Sequence, residues 1–304
     1  MKNRKYSLVF IMLLCMIMAV SAFPMTVNAD MGPKASVRIQ FEHMGDELCY
    51  GTLLSKEKST GPASAWDGRT ESAQKEYMDP GIWKIFVNYK DPDGYYFLQR
   101  SWKVSESKEL AWTYYPPDDF KILLYYPETE TFVSSGIYAR YAFDTYYTVD
   151  MDGVDIGSVE YNDDLSTNER IEAYRSYNYR QEMLALGSRI VLTILIEMMV
   201  ALLFGFRQKK QLLILAVVNI ITQIILNVLL NVINYNSGPL AFTFFYVLFE
   251  LIVFALEAVL YCTILKRISE KKKEDAYYIL YSFVANLISF GAGLFLAAKL
   301  PGMF

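Results

Sequence analysis

Residues 211–233 read QLLILAVVNIITQIILNVLLNVI. The stretch is long enough to cross a bilayer as helix, which takes about 20 apolar residues. Its few polar residues are not scattered. Asn219, Gln223, Asn227 and Asn231 recur at i+4 and form one slowly winding stripe. Amides are costly in hydrocarbon, so such a stripe turns toward protein. The segment is therefore predicted to be one rod of a membrane bundle, dry outside and hydrogen-bonded inside.

Three further apolar segments surround it: 187–206, 240–265 and 277–298. Arg207, Lys209 and Lys210 separate the first two spans. Lys266, Arg267, Lys271, Lys272 and Lys273 separate the last two. The connection Asn234–Pro239 has no charge. Lysine and arginine stay on the cytoplasmic side. The expected topology has both basic loops inside and the carboxyl terminus outside.

Each span carries its own polar face. Glu197 lies near the middle of the first. The third places Glu250, Phe254, Glu257 and Tyr261 at i, i+4, i+7 and i+11, and the fourth aligns Ser282, Asn286, Ser289 and Gly293. Glu197, Asn219, Glu257 and Asn286 fall slightly inside the midplane, and Gln223 and Glu250 near or slightly outside it. Acids at that depth must carry a proton, accept hydrogen bonds or meet water. Glu197, Asn219, Gln223, Asn227, Glu250, Glu257, Tyr261 and Asn286 are thus a candidate intramembrane polar site. Two readings stay open: structural glue between helices, or a proton, cation or polar-solute site. Paired aspartates, a Ser–His pair or a metal motif of an intramembrane protease are not present, so no catalytic residue is assigned.

At the other end, Lys2, Arg4 and Lys5 precede an apolar run 8–23. Val27-Asn28-Ala29 then offers small residues where a signal peptidase reads. This is the pattern of a secretory signal, expected over residues 1–29. The next segment should be exported. Between residues 30 and 186 it has 27 Asp and Glu against 16 Lys and Arg, a balance that argues against nucleic acid and anionic lipid as partners. After cleavage Cys49 and Cys262 remain, one in each region, so no disulfide is expected to hold the exported domain.

That domain, residues 30–165, reads as an antiparallel β-sandwich. Strands are predicted at 36–41, 48–54, 83–89, 95–104, 110–115, 120–126, 131–138 and 142–149. Asp91-Pro92-Asp93-Gly94, Pro116-Pro117-Asp118-Asp119 and Asp152-Gly153 supply turns. The connection 55–80 is too long for a turn and holds a candidate short helix at 71–78. Past the last strand, Ser166-Thr167-Asn168-Glu169 fits a capping box. With Ile171, Tyr174 and Tyr177 following, it predicts a helical stalk over 166–186.

His43 is the single histidine, which removes multi-histidine metal sites and a Ser–His–Asp arrangement. Its spacing from Cys49 fits no recognised thiol–imidazole motif. The Asp91–Asp93 and Asp150–Asp155 carboxylates lack a full EF-hand pattern and read as turns. Trp66, Trp83, Trp102 and Trp112 could stack on wall sugars but serve more simply as core.

Three groups of residues carry a resemblance. They are Asp30-Met31-Gly32-Pro33-Lys34 with Thr52-Leu53-Leu54-Ser55 and Ser59-Thr60-Gly61-Pro62; Arg140-Tyr141-Ala142-Phe143-Asp144 with Tyr146-Tyr147; and the polar pattern of the spans, with Thr222. The chain resembles membrane proteins of clostridia-like Gram-positive bacteria that join an exported β-domain to a short membrane bundle. The resemblance implies a host and an architecture, and no activity. The expectation is an α+β, multi-pass plasma-membrane protein with residues 30–186 outside and the four-helix domain at 187–304. No cofactor or nucleic acid is expected. The bilayer is the first partner, and a membrane-protein or cell-envelope partner and a homo-oligomer stay open. A binding or sensing head on an anchoring bundle is the first functional reading. A small transport unit working through Glu197, Glu250 and Glu257 is the alternative.

Overall fold

The computed structural model describes residues 33–56, 65–66, 78–113, 115–156 and 169–299. The expected signal sequence, most of the 55–80 connection, residues 71–77 of its candidate helix, and residues 166–168 of the expected capping box lie outside the described residues. Residues 34–177 form one compact unit, and the helices from Asn178 onward belong to another.

The first unit is built on two sheets. Strands β1 (Ser36–Glu42), β2 (Tyr50–Ser55), β3 (Tyr96–Phe97), β4 (Trp102–Lys103), β5 (Glu109–Trp112), β6 (Asp119–Tyr126), β7 (Thr131–Ser135), β8 (Tyr138–Ala139), β9 (Asp144–Asp150), β10 (Glu169–Ile171) and β11 (Ala173–Arg175) follow in chain order. One sheet has the order β11-β9-β1-β5 and the other β10-β7-β6-β2-β3, with β4 on β2 and β8 on β6. Val37, Ile39, Phe41 and Val149 from the first sheet share one buried cluster with Leu53, Ile122, Leu124 and Val133 from the second. Seven of the eight residues of β6 are buried. This strand is covered on both faces, which explains a continuous apolar run where a half-exposed strand would alternate.

The cover on the second face is a helix, α1 (Pro80–Asn88). It corrects the strand expected at 83–89. Asp79 accepts from the Gly81 and Ile82 amides at 2.7 and 3.1 Å, and Pro80 stands in the first turn. Both are helix-start signals. Ile82, Trp83 and Phe86 pack on Leu54, Phe97, Leu123 and Tyr125. The β-rich composition of the segment thus reflects what it packs against, and its backbone follows the cap. The strand expected at 95–104 is two short strands, β3 and β4, with non-strand residues between them, and a single turn of helix, α2 (Val104–Ser107), takes its last residue.

Two more expectations are corrected. The sheets are mixed and not antiparallel: β1 with β9 and β10 with β7 run parallel. Such partners lie far apart in sequence, and alternation along one strand carries no information about its neighbour. Among the described residues, from Glu169 on, the stalk expected over 166–186 is not a helix before Tyr179. Residues 169–171 and 173–175 are strands. Ile171 is buried in the core, and β11 closes an edge on β9. A few apolar residues at spacing three suit either structure until a sheet edge claims them.

Among the described residues the second unit has three helices long and apolar enough to cross a membrane: α3 (Tyr179–Leu203), α4 (Lys209–Leu260, continuing through one π turn at Tyr261–Leu265 to Ile268) and α5 (Asp275–Lys299). Asn178 caps α3 through the Gln181 amide at 3.1 Å. Helix α4 is broken at one residue, Gly238, with φ 81° and ψ −179°. That region of backbone space is essentially closed to residues with a Cβ. Thr222 and Glu257 lie 3.0 Å apart across the break. In a straight helix they would be separated by roughly 50 Å. The chain therefore doubles back at Gly238, with Pro239 opening the return arm. The uncharged loop expected at 234–239 shrinks to this single residue.

Candidate functional site

The polar residues of the four apolar segments come together inside the helical unit. Glu197, Asn219, Glu257, Tyr261 and Asn286 have no exposed surface, and Gln223, Asn227 and Glu250 have 2–3%. The opposite faces of the same helices are apolar and exposed: Leu195 and Met199 on α3, Ile221 and Ile225 on the outgoing arm of α4, Ile252 and Leu256 on its return arm, Ile288 and Phe295 on α5.

Glu257 is the centre of the arrangement. Its Oε1 accepts from Thr222 Oγ1 at 3.0 Å and its Oε2 from Asn286 Nδ2 at 2.7 Å. One carboxyl thus ties both arms of α4 to α5. Asn286 also donates to the Ser282 carbonyl at 2.9 Å. Tyr261 Oη donates to Asn219 Oδ1 at 3.1 Å, a second tie across the hairpin. It sits at the first residue of the π turn. On α3, Glu197 Oε1 accepts from Ser289 Oγ at 3.3 Å. Asn227 turns back on its own arm and donates to the Gln223 carbonyl and to Gln223 Oε1, at 2.9 and 3.2 Å. Glu250 stands apart from Glu257 on the return arm, with Tyr246 as its hydroxyl neighbour.

The network is not closed. Glu197 Oε2, Asn219 Nδ2, Gln223 Nε2, Glu250 Oε2 and Asn286 Oδ1 are buried without a hydrogen-bond partner among the described residues. Buried polar atoms in that state are uncommon, and each calls for an explanation such as strain, a functional role or a bound water or ion. Asn231, the last member of the stripe, accepts from Arg189 Nη2 at 2.9 Å. Sequence reasoning passed over Arg189. It lies two residues into the apolar segment, where an arginine is ordinarily read as reaching out to the interface. The signal was its spacing: Arg189, Thr193 and Glu197 recur at i+4. No group of three His, Cys, Asp or Glu suited to a metal ion occurs among the described residues.

The residues considered outside the spans behave as structure. Cys49 is buried, and burial pushes its thiol up to about 12. His43 is exposed and bonded to Asp150 at 2.7 Å, so it forms no pair with Cys49. Asp150 also accepts from the Asp152 amide at 3.0 Å, as a turn does. Trp83 and Trp112 are core residues, and Trp66 and Trp102 pack beside the two cores. Asp91 and Asp93 hold a buried cation that the sequence did not suggest. Lys121, 1% exposed, donates to Asp91 Oδ1 at 2.8 Å and Asp93 Oδ2 at 2.9 Å. Burial pulls the ammonium down, yet its two carboxylate partners outweigh this and raise it overall. The bond from Lys121 lowers Asp93.

In comparisons with known proteins, no family model, curated protein or solved structure matches the chain.

Proposed function

We propose that the chain is a multi-pass plasma-membrane protein with an exported head that binds or senses an envelope component or a membrane partner. In this reading residues 1–29 are a signal peptide, and the two-sheet unit is a sandwich held outside. The two arms of α4 count as separate spans, giving four, and both basic loops face the cytoplasm. The observation that carries it is the inverted distribution in the helical unit. Acids and amides lie inside while large aliphatic side chains cover the outside, a pattern that only an apolar surrounding makes favourable.

Labelling in intact cells tests the topology. Cys49 and Cys262 are buried, so exposed cysteines introduced by Asp152→Cys and Lys272→Cys report separately. A membrane-impermeant maleimide should label the first in intact cells and the second only after permeabilisation. The opposite order sinks the proposal.

One observation favours the second reading, a bundle that passes protons or small solutes: Glu197 and Glu250 each keep a buried, unpartnered oxygen. Against it, both oxygens of Glu257 are engaged by Thr222 and Asn286. Glu257→Gln separates the readings. Loss of function at normal surface expression supports transport. A near-silent change, with damage from edits in 55–80, supports the anchored head.

A further inference from the structure

Arg189 is a charge that the carboxyl network does not explain. One of its five N–H donors reaches Asn231 Oδ1, and its plane lies over Phe242 with 5.5 Å from guanidinium carbon to ring centroid. Its Nε is buried with no partner, and it makes no ion pair among the described residues. An arginine half-buried in a bundle, with no carboxylate in contact and Glu182 acting on it only at longer range, is costly. Its fork of donors is shaped for two oxygens of one anion.

A cleft of about 80 Å³ opens beside it. Space of that size exceeds the roughly 10–15 Å³ needed to seat one water. Gln223 and Thr193 line it with Arg189. Gln223 is 2% exposed. Because Asn227 donates to Gln223 Oε1, the other end of that amide, Nε2, is left as an unpartnered donor. Thr193 stands one helical turn from Arg189 on the same face. Across the cleft, Gly293 makes room for Tyr246: a Cβ at 293 would stand 2.6 Å from the Tyr246 hydroxyl. Leu192, Leu230 and Leu294 complete an apolar mouth. Asn227, Thr243 and Tyr246 add an amide and two hydroxyls that can donate or accept, and the one charged group in the lining is positive.

We propose that this cleft is a binding site for a phosphate oxyanion, held by Arg189 and the Gln223 amide. A phospholipid headgroup and a free phosphate share that chemistry. Arg189 lies eight residues, about 12 Å, along α3 from Glu197. In a bundle that spans the bilayer with Glu197 near the middle, this puts Arg189 close to the outer edge of a hydrocarbon layer about 15 Å deep on each side, below the headgroups, where a phosphate drawn inward meets its guanidinium and Gln223 lies deeper. The lipid source rests on the membrane reading above; the oxyanion chemistry does not.

The full chain, purified in detergent, tests it with three probes. Native mass spectrometry follows retention of dioleoylphosphatidylglycerol and of dioleoylglycerol, which lacks the phosphate. Thermal unfolding follows protection by inorganic phosphate. Retention of the phosphatidylglycerol but not the dioleoylglycerol, weakened at least ten-fold by Arg189→Met, is the expected result and names a lipid source. Protection by inorganic phosphate alone, lost in the same variant, supports the site with a soluble source and is independent of the membrane topology. Gln223→Leu keeps the arginine and should weaken binding in the same direction, so the test survives if Arg189→Met does not fold. Equal retention of both lipids, no response to any probe, or binding unchanged in both variants overturns the proposal.

Discussion

The two units of this chain obey one rule in opposite media. In the sheet unit the core is aliphatic and aromatic, and a fully buried ammonium, Lys121, is matched by Asp91 and Asp93. In the helical unit acids and amides fill the centre, and Leu, Ile and Val cover the outside. What stays constant is the penalty for an unpaired polar group away from water. What changes is where water is. The sheet unit can place its polar groups on the surface and needs few inside. The bundle has nowhere to put them except against each other.

The largest expected effect is at the buried cation. Lys121→Met should destabilise the sheet unit by about 3–5 kcal/mol, because it leaves the buried Asp91 carboxylate without its counter-charge. Denaturation of the full chain, followed through tryptophan fluorescence, measures it; all four tryptophans lie in this unit. A change under 1 kcal/mol would break the contrast, since the pair would then be dispensable. Asp91→Asn should cost less. The amide oxygen can still accept from the Asp93 and Tyr95 amides, which the carboxylate now holds at 3.0 and 3.2 Å.

Next is the hairpin. Gly238→Ala forces a Cβ into backbone space that costs about 1–3 kcal/mol. The expected outcome is a loss of bundle stability of that size, read by titration of the helices with a denaturing detergent. Glu257→Leu follows. It removes the acceptor for Thr222 and Asn286, and Asn286 keeps only its bond to the Ser282 carbonyl. Polar contacts between membrane helices average only about 0.6 kcal/mol, so a loss of about 1–2 kcal/mol is expected for the two bonds. Glu257→Gln should lose less than half of that, because an amide can still accept from Asn286. Equal losses in the two variants would show that packing, and not hydrogen bonding, sets the effect.

The contrast also explains what was legible in the sequence. The bundle shows its plan because lipid imposes length and because each polar residue must face inward; Asn219, Gln223 and Asn227 announce a face by spacing alone. Its hairpin was readable as an uncharged break, but not as a reversal at one glycine. The sheet unit hides its plan, because its pairing is non-local. Nothing in Ser36–Glu42 names Asp144–Asp150 as a parallel neighbour. Residues 83–88 carry the Trp, Ile, Phe and Val of the strand expected at 83–89 and fold as a helix because Asp79 and Pro80 start one. Lys121 is the third residue of β6, a strand covered on both faces, where alternation gives no hint that the lysine points inward. Arg189 was missed for the reverse reason: an arginine near a span end has an easy exterior explanation, and only the partner on the next arm, Asn231, draws it inward.

The smallest effect belongs to the surface pair, and its sign is the informative part. His43 is raised above 6.5 by its hydrogen bond to Asp150 and by the charge of that carboxylate. Asp150 is lowered, first by the Asp152 amide and then by His43. The raised histidine contributes stability that is complete below its unfolded value and fades as pH rises through its folded one. The lowered aspartate contributes above its unfolded value and fades as pH falls through its folded one. The pair is therefore strongest in mildly acid solution, between the two folded values. Because the chain has one histidine, an imidazole proton resonance from the folded chain reports this site alone. Its midpoint should lie above 6.5 and fall in Asp150→Asn, with little change in overall stability, as expected for an exposed ion pair. A midpoint unmoved by that substitution would mean the contact does not form in solution. A large stability change would mean the surface of this unit carries more of its electrostatic stabilisation than the buried Lys121 does, and the comparison between surface and core would have to be reversed.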